Sequence, residues 1–167
     1  MYNFIQPETL YNKIKQLIEA KTSVLDEVIR PFRTNEQFCG VAIGDRRVIG
    51  LYPCAVIVPG DIPVKPVMTN WTFEATYFGD VVVYTKGVVI PDSYAYHWAL
   101  TKAIWEILLD PQNQLLRITD ISNSPETAIV YNFNVFKGIR QGTEEHEFRS
   151  ASIGFEAAQM KQGYAVM

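Results

Sequence analysis

Histidine is scarce in this chain. Only His97 and His146 occur among 167 residues. Because imidazole is the usual acid–base group near neutral pH, little is left for general acid–base catalysis. No GxSxG, HExxH, Walker-type loop or dinucleotide fingerprint occurs, and Gly40-Val41-Ala42-Ile43-Gly44 lacks the Lys-Ser or Lys-Thr that a phosphate loop needs. Cysteine is equally sparse: Cys39 and Cys54 are too far apart for a CxxC pair, which leaves two small buried thiols or one disulfide. No basic run exceeds Arg46-Arg47 and the net charge is −3, so a duplex-DNA reader with a clustered basic stripe is excluded. No apolar run approaches the roughly 18 residues of a membrane span. The opening Met1-Tyr2-Asn3-Phe4-Ile5-Gln6-Pro7 lacks the basic and apolar regions of a signal peptide, so the chain reads as soluble and cytoplasmic.

What is present is ordinary globular material. A hydrophobic share of 48% with 20% charged residues suits one domain with its own core rather than a disordered chain. Nine Tyr, nine Phe and three Trp are many, enough to enlarge that core or to furnish subunit contacts. Over residues 7–30, Leu10, Ile14, Leu17, Ile18, Val24, Leu25 and Val28 recur at helical spacing. Pro7 and Glu8 suit the start of that helix and Pro31 its end. Its opposite face carries Lys13, Lys15, Gln16, Glu19, Asp26 and Glu27.

Beyond it, Cys39-Gly40-Val41-Ala42-Ile43 reads as a short strand and Asp45-Arg46-Arg47 as a turn. The run 51–58 reads as a strand buried on both faces. Three prolines in 59–66 predict an exposed loop. Trp71, Phe73, Ala75 and Tyr77 alternate with polar residues, and Gly79-Asp80 predicts a bulge or a hairpin turn before Val81-Val82-Val83-Tyr84. Pro91-Asp92-Ser93 offers a cap for a second helix, with Tyr94, Trp98, Ile104, Trp105, Leu108 and Leu109 as its apolar side. Strands follow near 115–119, 129–136 and 149–157. The expected fold is α+β: an antiparallel or mixed sheet with two main helices packed on one face, in the order helix–strand–strand–helix–strand–strand–strand. One domain spans 1–167, with protruding loops near 59–70 and 137–147.

Each candidate for chemistry has a plainer reading beside it. His97 lies in the second helix next to Trp98 and reads as a packed or interface imidazole. His146, among Glu144, Glu145 and Glu147, reads as a solvated hairpin face, because neighbours on a strand point to opposite sides and do not converge on a metal. Glu74 with Asp80, and Glu106 with Asp110, are carboxylate pairs without a nucleophile. Asp45-Arg46-Arg47 has the charge to hold a phosphate but reads as an exposed turn. No catalytic residue, cofactor or metal is expected.

The element order, the opening helix, the apolar run Ala55-Val56-Ile57-Val58, the helix from Trp98 to Leu109 and the final Arg149-Ser150-Ala151-Ser152-Ile153-Gly154-Phe155 resemble the tail terminator (tail completion) proteins of long-tailed bacteriophages and contractile injection particles. The resemblance spans roughly 7–157 and implies a virion structural protein, assembled in the host cytoplasm. Such proteins form a hexameric ring that caps the tail tube, ends its polymerisation and presents the head or neck attachment surface. DNA passes through the lumen without specific binding. The implied partners are further copies of the chain, the tube protein and neck proteins. The residues placed at these contacts are Asp61 and Lys65 in the 59–66 loop, Arg140, Glu144 and Glu145 in the 140–145 loop, and Lys13 and Asp26 on the polar face of the first helix. Two other readings stand beside it: another connector, neck or tube component, and a small enzyme or ligand module built around His97, Trp98 and Tyr94.

Overall fold

The structure, a computed structural model, describes residues 6–68, 72–87, 90–114, 116–119, 127–134, 139–141 and 147–162. The fold is α+β. Helix α1 (Pro7–Glu19) begins with proline in its first turn and Glu8 beside it, where the helix dipole favours a carboxylate. Its buried residues Leu10, Tyr11, Ile14 and Ile18 keep one face. The helix expected over 7–30 is two helices, because the chain breaks at Ala20 and Lys21 before α2 (Thr22–Ile29). The Thr22 hydroxyl donates to the Glu19 carbonyl at 2.7 Å, a local bond that competes with continuation of the helix. The apolar pattern gives no sign of the break, since Ile18 and Leu25 sit one heptad apart and share a side.

The sheet is built on two strands, β4 (Thr72–Lys86) and β8 (Phe148–Gln162), paired antiparallel from Thr72↔Gln162 to Lys86↔Phe148. Each is 15 residues long, about 50 Å of extended chain. Along the free side of β4, β2 (Cys54–Pro59) and β3 (Val64–Met68) lie end to end, and β1 (Val41–Ile43) adds in parallel outside β2. Along the free side of β8, β6 (Thr127–Asn134) and β7 (Ile139–Gln141) do the same, with β5 (Leu116–Thr119) outside β6. Helix α3 (Ser93–Leu109) connects the two halves.

Several expectations change here. The 59–66 loop is half strand: 60–63 is loop, while 59 ends β2 and 64–66 belong to β3, an edge strand, where the missing N–H of Pro66 is tolerated. Gly79-Asp80 is neither bulge nor turn, since β4 and β8 stay in register through both residues. The strand expected from residue 51 begins at Cys54, which leaves Leu51 65% exposed. The last strand runs on to Gln162, and Ile139–Gln141 is a strand within the predicted 137–147 loop.

The core lies between one face of this sheet and the helices. Ala75, Tyr77, Val81 and Val83 of β4, Ala151, Ile153, Phe155 and Ala157 of β8, and Ala55 and Ile57 of β2 all turn inward. They meet Leu10, Ile14, Ile18, Leu25 and Ile29 of the first two helices and Leu100, Ile104 and Leu108 of α3. Each such aliphatic side chain contributes about 1.5–3 kcal/mol when fully buried. Among the described residues no helix covers the second sheet face, where Phe78, Asp80, Val82, Tyr84, Ser152 and Glu156 are half-buried. Cys54 and Val56 are nevertheless buried, so the start of β2 is buried on both faces as expected. No helix among the described residues is long and apolar enough to cross a membrane.

Candidate interaction surfaces

Three parts of the exposed surface stand out by chemistry. The first is the turn between β1 and β2. The strand ends at Gly44, whose φ of +92° favours glycine, and Asp45 caps the single 3-10 turn Arg46–Val48 by accepting from the Arg47 backbone N–H at 2.8 Å. The same carboxylate binds the Arg47 guanidinium through a fork, with Nε to Oδ2 at 3.0 Å and Nη2 to Oδ2 at 2.6 Å. That bond holds the Asp45 carboxyl down at about 2. Arg46 lies over two rings, 5.3 Å from Tyr84 and 4.8 Å from Phe148, and Phe148 in turn stacks on Tyr52 at 4.5 Å. The turn is thus pinned to the helix-free side of the sheet. Val48 and Leu51 nonetheless stand 74% and 65% exposed. The turn is held in place and still presents two aliphatic side chains to water.

The second is a groove on the outside of the helix layer. Leu17 of α1, Val24 and Val28 of α2, and Ala103 and Ile107 of α3 line a cavity of about 500 Å³. Val24 is 45% exposed although its spacing places it in the apolar stripe of the helix. The third is the outward side of α3, where Tyr94 and Trp98 are 58% and 43% exposed and Arg149 lies 5.7 Å from the Tyr94 ring. This corrects the expected apolar face of α3. The inward residues are Ser93, Tyr96, His97, Leu100, Thr101, Ile104 and Leu108, and of the six expected only Ile104 and Leu108 are fully inside. The helix is apolar almost all round, so spacing could not select a face.

His97 is inside and Tyr94 and Trp98 are outside, so these three do not line one site. The His97 Nδ1 meets Thr85 Oγ1 at 2.8 Å, its Nε2 is buried, and the Ser150 backbone beside the ring favours its protonated form. Burial holds its pKa down to about 4, and the nearby charge of Arg149 acts in the same direction. The expected cap of α3 has another task. Asp92 makes no capping bond and instead pairs with Arg33 at 2.6 Å, while the Arg33 guanidinium lies over Tyr96 at 4.8 Å. Both cysteines are free thiols, Cys54 buried and Cys39 partly so; burial raises Cys54 to about 11. Among the described residues no three His, Cys, Asp or Glu side chains gather as a metal site would require.

The contact residues expected from sequence do not come together. Lys13 is half-buried on α1. Asp26 is half-buried on α2, where its carboxylate accepts from the Phe38 N–H at 2.8 Å and so ties the helix to the following segment. Asp61 is exposed beside Ile62, Pro63 and Phe78 in a shallow depression, and Lys65 on β3 pairs with Glu74 across the strands at 3.4 Å. Arg140 lies on β7, in register with Ser152, on the opposite side of the β4–β8 pair. Glu144 and Glu145, like His146, lie outside the described residues. Sequence reasoning missed Val48 and Leu51 as surface features. The signal was there in two aliphatics beside Gly50 and an arginine pair, but 51–58 as a single apolar run drew Leu51 into a strand.

No protein-family model matches the chain, and no curated protein matches it.

Proposed function

We propose that the chain is a tail terminator: a structural protein of a long-tailed particle that forms a hexameric ring, caps the tail tube, ends its polymerisation and offers the surface to which the head or neck attaches. The observation that carries this reading is the placement of the exposed apolar surfaces. The 44–51 turn sits on the helix-free side of the sheet, while the α2–α3 groove and the Tyr94–Trp98 face belong to the helix layer. Surfaces of different shape on different sides favour head-to-tail contacts, and head-to-tail contacts form a ring where the rotation between neighbours closes. The long β4–β8 pair, helix-covered on one face, supplies a stiff wedge for such a ring. A net charge of −3 suits a lumen through which DNA slides without adhering.

Light scattering and negative-stain imaging, with and without polymerised tail tubes, test the proposal. A six-fold particle with a central hole, at six times the 19.0 kDa chain mass and seated on tube ends, is the expected result. A ring that forms but ignores tubes would assign the chain to another connector or neck layer. A monomer at every concentration, tubes included, overturns the ring altogether.

A further inference from the structure

We propose that the 44–51 turn of one copy seats in the α2–α3 groove of a second copy, and that this is the contact by which the chain associates with itself. The inference rests on the ring-forming reading above and assigns its interface.

The two surfaces fit in apolar character. The turn presents Val48 and Leu51 to solvent, and the groove offers a concave wall of Leu17, Val24, Val28, Ala103 and Ile107. Burial of the two aliphatic side chains against such a wall removes apolar surface from water, with the charged residues left at the rim. The charges at the two surfaces are compatible. The turn carries Asp45, Arg46 and Arg47, a net +1 with Asp45 and Arg47 paired to each other, and the groove is edged by Lys21, Glu106 and Asp110, a net −1, with Glu106 also paired to Lys102 at 3.7 Å. Opposite net signs favour the approach of one surface to the other, and like signs would disfavour it.

The turn is also prepared for docking. The Asp45–Arg47 fork, the cap on the Arg47 N–H and the stacking of Arg46 on Tyr84 and Phe148 fix its shape before any partner arrives. Little ordering entropy is then lost on association. Position completes the argument. The turn packs beside Val56 and Tyr84 on the helix-free side of the sheet, whereas the groove opens on the helix layer. A copy that inserts its turn into a neighbour therefore keeps its own groove open for the next. That is the requirement for a ring rather than a closed pair.

Two measurements on the full chain test the contact. A photoreactive benzoylphenylalanine replaces Val48, isotopically labelled and unlabelled copies are mixed and irradiated, and the cross-links are mapped by mass spectrometry. Cross-links between copies to peptides carrying Val24, Val28 or Ile107 are expected; cross-links elsewhere, or none at high concentration, overturn the contact. In the second, a turn variant (Val48→Asp with Leu51→Asp) and a groove variant (Val24→Asp) are each weighed alone and then mixed. Each alone is expected to associate about tenfold or more weakly than the parent chain. Mixed, they are expected to form one-to-one pairs and stop there, because each retains one intact surface. Variants that assemble like the parent chain overturn the contact while leaving the ring standing. A parent chain that neither cross-links nor assembles overturns the contact, and the ring is then decided separately by imaging with tail tubes.

Discussion

The ring of Phe155 occupies the space that a side chain on Gly79 would need: a Cβ built there lies 2.5 Å from Phe155 Cζ and 3.0 Å from the Val58 carbonyl oxygen. The two residues are register partners at the centre of the β4–β8 ladder. The glycine is therefore a gap filled by the aromatic ring of the opposite strand, and the ring continues into an edge contact with Tyr11 of α1, 6.2 Å between centroids.

Gly79→Ala is accordingly expected to overpack the core and cost about 1–3 kcal/mol in urea denaturation. Phe155→Leu in the same chain should recover part of that loss, since the shorter side chain vacates the space. An alanine variant as stable as the parent would show that the ring moves aside freely and that the glycine is not needed there.

Acid sensitivity follows from His97. Its pKa is about 4 in the fold and about 6.5 in an unfolded chain, so the folded state holds the ring neutral. Between those values the unfolded chain binds the proton and the folded one does not. The contribution of the neutral ring is complete above pH 6.5 and is lost as pH falls towards 4, at up to about 1.4 kcal/mol per pH unit. Urea midpoints measured from pH 7 to pH 4 should fall less steeply for His97→Gln, whose amide still reaches Thr85. Identical slopes for the two chains would remove His97 as the cause.

The Arg33–Asp92 pair joins the segment after α2 to the start of α3. The Arg33 side chain is 10% exposed, and two of its nitrogens are buried without a partner among the described residues. Asp92→Ala should cost about 1–3 kcal/mol, because it takes the carboxylate from a largely buried cation, which keeps the Phe32 carbonyl and the Tyr96 ring beside it. Arg33→Met combined with Asp92→Ala should be more stable than Asp92→Ala alone, since the unpaired charge is gone. Equal stability of the single and double variants would mean that solvent reaches Arg33 once Asp92 is removed.

Thiol reactivity provides a fourth check. Burial raises the Cys54 thiol to about 11, and burial with the charges of Glu36 and Asp26 also raises Cys39. At pH 8 the thiolate fraction of Cys54 is small and its sulfur is enclosed, so disulfide reagents should label it only on unfolding, with Cys39 reacting slowly. Rapid labelling of Cys54 in the native chain would contradict the packing at the start of β2.

Composition and local pattern were sufficient for the α+β class, for helices starting near Pro7 and Ser93, and for strands on either side of α3. The reason is that periodicity and proline act through neighbours in the chain, and neighbours are visible in a sequence. Other features depended on residues far apart. The break between α1 and α2 is silent because Ile18 and Leu25 stay in phase across it. The reading of Gly79 needed Phe155, and the edge position that tolerates Pro66 needed the strand order. The inward face of α3 was decided by the sheet beneath it, since a helix apolar on every side carries no preference of its own. The exposed apolar surfaces belong to the same class. The exposure of Val48 and Leu51, and the groove that α1, α2 and α3 enclose together, arise from the path of the backbone through space, and no spacing along the chain encodes that path locally.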